Sequence, residues 1–479
     1  MTASRSRRGA RRAPAEPSPR RWPILVLLPL LVAVGVVVQH RQDVQAPSVA
    51  VVSPDGFQPT ASSSEATSST WYCAAGTATG TATGAAEQTV QIANDSDQAL
   101  SGRLTAFPSA GDSVKKNLDL PAHGRVDVVV STLVKAPYAS ALVEVDGGEV
   151  AVSHLLVGPT GRSVAACSSS PSESWYVPSG TTRPGTTQQL ALFNPFPSEA
   201  VVNVTFQADD GTRSPQAYSA LVVPGQSLKV LDISATVTLR DHLSTVVTVR
   251  SGRVVIDQVQ SADGTQGTTK SLTVTPAAPR SSSTWWFPDG PADAGSDAVY
   301  HVQNPTDQVA EVELRIRLDD TVSYGAVEPF RVEVQPGEYA AIDVTTDGRV
   351  PAGVGYAAVA QSTNGVAIVA DRVVSYAPPA TNVGATVMMG SPTTASRWIV
   401  PSASLTEASA VKVIVTNTSS SDPVTLTVST LADGRSTPLP GMQNVVVDAG
   451  ARGGTTATVG IPVAVATAPL STGPTGTGN

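Results

Sequence analysis

Charge is scarce in this chain of 479 residues: Asp, Glu, Lys and Arg together make up 15% and aromatic residues 5%. So little charge excludes a highly charged disordered polymer. Two cysteines exclude a disulfide-dense miniprotein and a four-cysteine zinc site. The 39 glycines show no triplet period, so the chain is not collagen-like. Catalytic signatures are missing as well: there is no Gly-x-Ser-x-Gly elbow, no His-Glu-x-x-His, no Gly-Lys-Ser/Thr loop and no acidic calcium loop. The five histidines, His40, His123, His154, His242 and His301, have no ligand spacing and read as surface or cap residues. Asp209-Asp210-Gly211 is turn chemistry, and adjacent carboxylates on a strand face opposite ways. No catalytic residue, metal or cofactor is expected.

The charge that is present is unevenly placed. Residues 1–21 carry seven arginines against Glu16, or +6, which leaves −14 on the remaining 458 residues and −8 overall. An uninterrupted apolar run, Trp22 to Val38, follows. As a helix its 17 residues would span about 26 Å, the lower edge of a bilayer crossing. Two readings compete, a retained signal anchor and a cleaved signal peptide, and Pro47 after Val44-Gln45-Ala46 disfavours cleavage. Both place the arginines in the cytoplasm and residues 39–479 outside, so the protein is expected at the cell membrane as a single-pass chain, or secreted if the segment is cut. The acidic remainder argues against a nucleic-acid partner.

Behind a Ser/Thr/Pro-rich stretch, 39–70, the chain repeats. Trp71-Tyr72-Cys73, Trp175-Tyr176-Val177, Trp285-Trp286-Phe287 and Trp398-Ile399-Val400 recur at spacings of 104, 110 and 113. Each is followed by an apolar strand ending at an asparagine: Asn94, Asn194, Asn304 and Asn417. Alternating strands come next, such as Val312, Leu314, Ile316 and Leu318 with Glu313, Arg315 and Arg317 between them. Pro/Gly turns follow, and then apparent hairpins, Val246–Val249 with Val254–Val259 and Tyr356–Ala360 with Val366–Val373. A period near 105 residues with six or more short strands is the size of an immunoglobulin-like sandwich.

The expected fold is therefore all-β: tandem immunoglobulin-like β-sandwich modules, beads on a string, behind one N-terminal transmembrane helix. The boundaries are a basic arm 1–21, a transmembrane helix 22–38, a flexible stalk 39–70, module one 71–172, module two 173–282, module three 283–395, a shortened module four 396–470 and a tail 471–479. Module four is expected to lack its closing hairpin, its edge either packing on module three or awaiting a partner strand.

Cys73 opens module one and Cys167 closes it, so in an oxidising compartment the two are expected to pair. Trp175, Tyr176, Trp285 and Trp286 are candidate sugar-stacking platforms. Their recurrence at one repeat position points instead to a structural packing role, Trp286 being the best candidate for exposure. The basic N-terminus with one apolar segment, Trp71-Tyr72-Cys73, Cys167, the Asn-Pro and Pro-Gly turns and the Val366–Arg372 ending together resemble an actinobacterial extracytoplasmic family of unknown function, number 5719 among such domains. The resemblance implies no catalytic residues. Two functions are expected from this sequence. One is a non-enzymatic, membrane-anchored structural or scaffolding protein of the cell envelope, held in the membrane by residues 22–38. The other is an envelope-glycan binding protein, with a glycan or an envelope protein as partner.

Overall fold

The computed structural model describes residues 61–78, 86–291, 294–319, 321–380, 383–394, 397–401, 414–417, 427–431, 444–448 and 457–460. The basic arm, the apolar segment 22–38 and the tail 471–479 lie outside the described residues. Among the described residues no helix is long and apolar enough to cross a membrane. The fold is all-β, with antiparallel sheets throughout.

Module one has eight strands: β1 (Ser69–Cys73), β2 (Glu87–Asn94), β3 (Leu100–Pro108), β4 (Val114–Leu120), β5 (Gly124–Val129), β6 (Ala139–Val145), β7 (Val150–Gly158) and β8 (Gly161–Ala166). They form two four-stranded sheets, ordered β1-β6-β3-β4 and β5-β2-β7-β8. Inward residues of both, among them Trp71, Leu104 and Val143 from one and Val90, Ile92 and Val152 from the other, share one core. Second-with-fifth and third-with-sixth pairings match the centre of an immunoglobulin domain. The flanks are exchanged: the first strand lies beside the sixth, and the seventh beside the second.

Module two repeats this with β9 (Ser174–Val177), β10 (Thr186–Asn194), β11 (Ala200–Ala208), β12 (Gly211–Arg213), β13 (Leu221–Val223), β14 (Ser227–Asp232), β15 (Leu243–Ser251), β16 (Val255–Ala262) and β17 (Ser271–Pro276). Module three has β18 (Thr284–Gly290), β19 (Ser296–Gln303), β20 (Ala310–Leu318), β21 (Phe330–Val334), β22 (Tyr339–Asp343), β23 (Tyr356–Ser362), β24 (Val369–Tyr376) and β25 (Gly384–Met389). The sheet orders, β14-β10-β16-β17 and β18-β23-β20-β21 among them, follow module one. Residues on β11 and β20 alternate between buried and outward, as their period-two sequences predict.

The expected hairpins are not formed. β15 pairs with β11 and β9, whereas β16 pairs with β10 and β17. β23 likewise pairs with β18 and β20, and β24 with β19 and β25. Each of these strands already has a partner on both sides, so the turns at Ser251-Gly252 and Thr363–Gly365 carry the chain from one sheet to the other.

Module four contributes β26 (Arg397–Pro401), β27 (Ile414–Asn417), β28 (Thr427–Leu431), β29 (Asn444–Asp448) and β30 (Ala457–Gly460). β29 sits between β26 and β28, the place of a sixth strand, and β30 pairs with β27 in the register of a seventh, Asn417 opposite Ala457 as Asn94 is opposite Val150. The closing strands expected to be missing are therefore present as β29 and β30.

The asparagines that end the second strands of modules one, two and three, Asn94, Asn194 and Asn304, are fully buried clamps. Asn194 donates from Nδ2 to the carbonyls of Ser198 and Val223 and accepts from the Phe196 amide. Asn94 and Asn304 repeat this with Gln98, Pro121 and Ser96, and with Gln308, Val334 and Thr306. One side chain thus closes the turn and ties it to the next strand.

The modules are packed, not strung. Tyr72, Ala74, Ala75, Phe107, Leu156 and Ala165 of module one belong to the same buried cluster as Trp175, Phe193 and Val247 of module two. Tyr176 of module two packs on the core of module three, and β18 of module three packs on β27 and β30 of module four. β26 of module four in turn lies on β2 and β7 of module one, where Ile399 forms a buried cluster with Ala93 and Ala151. The same face of each first strand thus meets the second and seventh strands of the next module, and the four modules close into a ring. β17, buried along its whole length, is flanked by β8 and β25. The expected stalk also ends early: Ser62 is hydrogen-bonded to Val150 and Glu149, and Ser69 already belongs to β1.

Candidate functional site: the inter-module junctions

The alternation of the first strand explains the aromatic repeat. Trp71, Trp175 and Trp285 turn into the cores of their own modules, and these three and Trp398 are at most 2% exposed. Trp175 and Trp285 donate from Nε1 to the carbonyls of Ser172 and Ser282. A ring with no accessible face cannot stack on a sugar, so this role falls away for Trp175 and Trp285. Tyr176 and Trp286, one residue on, are half-buried and turn the other way, Tyr176 towards module three and β18 towards module four.

Cys73 and Cys167 form a disulfide, and no described cysteine is free. The equivalent pairs are Val177 with Ala277, both in the module-two core, and Phe287 with Gly390. A Cβ on Gly390 would lie 2.7 Å from Cζ of Phe287, so the ring occupies the place of the missing side chain. In all three modules a bridge at the neighbouring residue (Tyr72 with Ser168, Tyr176 with Ala278, Trp286 with Ser391) joins the first strand to the end of the last.

Two carboxylates lie fully buried at the junctions, on the seventh strands. Asp257 reaches back from module two and accepts from the amides of Ala74 and Ala75 of module one, both at 2.8 Å. Asp371, at the same repeat position in module three, accepts from the Ser179 amide at 3.0 Å and its hydroxyl at 2.5 Å. Ala75 and Ser179 are themselves equivalent residues, four beyond the leading tryptophan. Their carbonyls are bonded from within their own modules: His154 Nδ1 lies 3.1 Å from the Ala75 oxygen, and Gln258 donates to that of Ser179 at 2.9 Å. Arg372, next in this series, instead meets the carboxylate of Asp289 at 3.4 Å. Module four has Gly460 where the reaching carboxylate would stand, and Thr416 donates to the Pro288 carbonyl at 3.1 Å.

At the first junction His154 Nε2 lies 3.8 Å from Asp257 Oδ2, both groups being fully buried. Burial pushes the Asp257 carboxyl up to about 7, against the lowering effect of the two amide donors. Burial likewise pulls the His154 imidazole down to about 4. At the second junction His301 Nδ1 lies 3.4 Å from Asp371 Oδ1, its ring 5.0 Å from that of His242, which in turn lies 5.7 Å from Tyr339. Burial, then the neighbouring His301, lowers the His242 imidazole. His154 and His301 are thus buried and not surface residues: His301 lies against Asp371 and the ring of His242 of module two, whereas His154 turns into the end of its own module, against Gln88 and the Ala75 carbonyl. Among the described residues no group of three or more His, Cys, Asp or Glu could hold a metal. Asp210 is an exposed turn residue paired with Arg213 and Arg240.

Between modules one and two lies a cleft of about 410 Å³. Tyr138, Leu156 and Thr160 line one side; Gln189, Ala191, Val259 and Ser261 line the other. Gln189 Nε2 crosses it to donate to the Tyr138 hydroxyl at 2.9 Å.

Residues 158–270, the end of module one and most of module two, match a family of unknown function, DUF5719. This is the family named from the sequence. No curated protein matches the chain. The crystal structure of Thermotoga maritima 1070 is similar at 19% identity, covering 23% of this chain and 95% of that one, with a TM-score of 0.21.

Proposed function

We propose that the chain is a non-enzymatic structural protein of the cell envelope, anchored by residues 22–38, whose extracytoplasmic immunoglobulin-like modules act as one stiff body. The carrying observation is the pair of buried carboxylates, Asp257 and Asp371, each fixing backbone or hydroxyl donors of the preceding module. A linker alone would leave neighbouring modules free to reorient; a desolvated carboxylate with two donors holds one orientation. The exchanged flanking strands support this use, because they put the first strand of each module where the next module can bind its outer face.

The test is a distance measurement on the full chain in lipid nanodiscs, with spin labels at Asp112→Cys in module one and Asp307→Cys in module three, both exposed positions. A single narrow distance, broadened in Asp371→Ala, supports a stiff scaffold. A broad distribution in the unaltered chain overturns it. Membrane retention of the same chain after a high-salt wash, lost on removal of residues 1–38, tests the anchor.

A further inference from the structure

The cleft between modules one and two has a counterpart that is filled. Strand registers make Ala191 equivalent to His301, since each pairs with the junction carboxylate of its module, Asp257 or Asp371. By the same registers Leu228 corresponds to Tyr339, and Tyr138 to His242. At the second junction the ring of His242 lies against those of His301 and Tyr339, tilted to both. At the first, the methyl group of Ala191 replaces an imidazole, and the space opens to about 410 Å³, within the range of small-molecule sites.

The lining decides the class of guest. Among the described residues no Asp, Glu, Lys, Arg or His lines the cleft, so a charged guest would be desolvated without a counter-charge from them. Leu156, Ala191, Val230, Val259 and Leu272 supply apolar surface, and Tyr138 adds a half-buried ring. Thr160, Thr187 and Ser261 add hydroxyls. A ring with one apolar face and several hydroxyls satisfies both halves of this lining, whereas a wholly apolar guest would leave the hydroxyls against hydrocarbon. We propose that the cleft between modules one and two is a binding site for a neutral sugar of one or two rings, made available by Ala191. This goes beyond the scaffold reading and can fail without it, because stiffness does not require an occupied cleft.

Saturation-transfer NMR and calorimetry on the full chain in nanodiscs, with glucose, galactose, maltose and cellobiose as probes and glucuronate and toluene as contrasts, test it. Binding of a neutral sugar is expected, weakened at least about tenfold by Ala191→His, which installs the side chain of the next junction (a 1.4 kcal/mol loss or more). Ala191→Val, a smaller filling, gives a lesser loss and serves if the histidine variant fails to fold. Tyr138→Phe, which removes the hydroxyl held by Gln189, is expected to reduce affinity without changing the melting temperature by more than a few degrees. Saturation by glucuronate or toluene alone, no binding of any sugar at about 10 mM, or sugar binding untouched by Ala191→His and Ala191→Val overturns the proposal.

Discussion

Burial shifts His154 and Asp257 in opposite directions, in a way that single replacements should expose. In the unfolded chain Asp257 loses its proton near 3.8 and His154 near 6.5; in the folded chain the values are about 7 and about 4. Between pH 4 and 6.5 the folded pair holds one proton, on the carboxyl, and the unfolded pair also holds one, on the imidazole. The pair therefore adds little slope to stability in that window. His154→Gln, which copies Gln258 of module two, leaves an aspartic acid that keeps its proton when folded and loses it when unfolded. Stability should then fall as pH rises from about 4 to about 7, with a slope approaching 1.4 kcal/mol per pH unit. Asp257→Asn leaves a histidine that is neutral when folded and protonated when unfolded, so stability should fall in the opposite direction, from pH 6.5 down to about 4. Urea unfolding at several pH values checks both, and slopes of the same sign would refute the neutral buried forms of the two groups. Gly390 makes a second case. A methyl there meets Phe287 at 2.7 Å and Cβ of Trp285 at 3.1 Å, so Gly390→Ala should cost about 1–3 kcal/mol. Adding Phe287→Val rebuilds the Val177–Ala277 solution of module two, and the double variant should be more stable than the sum of the singles by about 1 kcal/mol, measurable in a double-mutant cycle.

Among the strands, the seventh carries the junction chemistry. Asp371→Ala should remove the acceptor of two Ser179 donors and destabilise the chain by about 2–4 kcal/mol. Asp343→Ala, a half-buried strand-end acceptor for the amides of Thr345 and Thr346, should cost about 1 kcal/mol or less. Chemical denaturation ranks the two, and equal losses would remove the special role of the junction. The strands themselves were legible in the sequence, because Val202–Phe206 and Val312–Leu318 alternate and the asparagine turns recur at a fixed offset from tryptophan. Their partners were not. Tight turns after β15 and β23 look like hairpins locally, and only competition for edges, a non-local effect, sends the two strands to different sheets. The junction was half visible. Asp257 and Asp371 interrupt apolar strands at one repeat position, a costly place for a carboxylate unless donors from elsewhere meet it. Those donors, the amides after Trp71 and Trp175, carry no side-chain signature at all.

For the molecule as a whole, closing the modules into a ring makes the four junctions unequal. The first two are fastened by Asp257 and Asp371, and the third by Thr416 on Pro288 and by the approach of β18 to β27 and β30. At the fourth, Ser153 stands at the carboxylate position and its hydroxyl stays within module one, donating to Gln91, while Ile399 stands at the place of the outward aromatic and clusters with small side chains, Ala93, Ala151 and Ala61. Among the described residues this seam has small apolar partners for Ile399 and no reaching aspartate, so the free energy of local opening should be lowest there. Ile399→Glu puts a carboxylate against two fully buried methyl groups with no donor at hand, which favours the opened ring over the closed one. Hydrogen exchange read by mass spectrometry should then show faster exchange in β26 and around Ala93 and Val150–Val152. Protection around Ser179 and Asp371 should stay as in the unaltered chain. If exchange rises at all four junctions together, the ring opens as a single cooperative unit and the seam is not its weak point. If it rises nowhere, module four is not held to module one through Ile399. The selective outcome identifies the seam at which the chain reverts from a ring to the open row of modules that its repeats suggest.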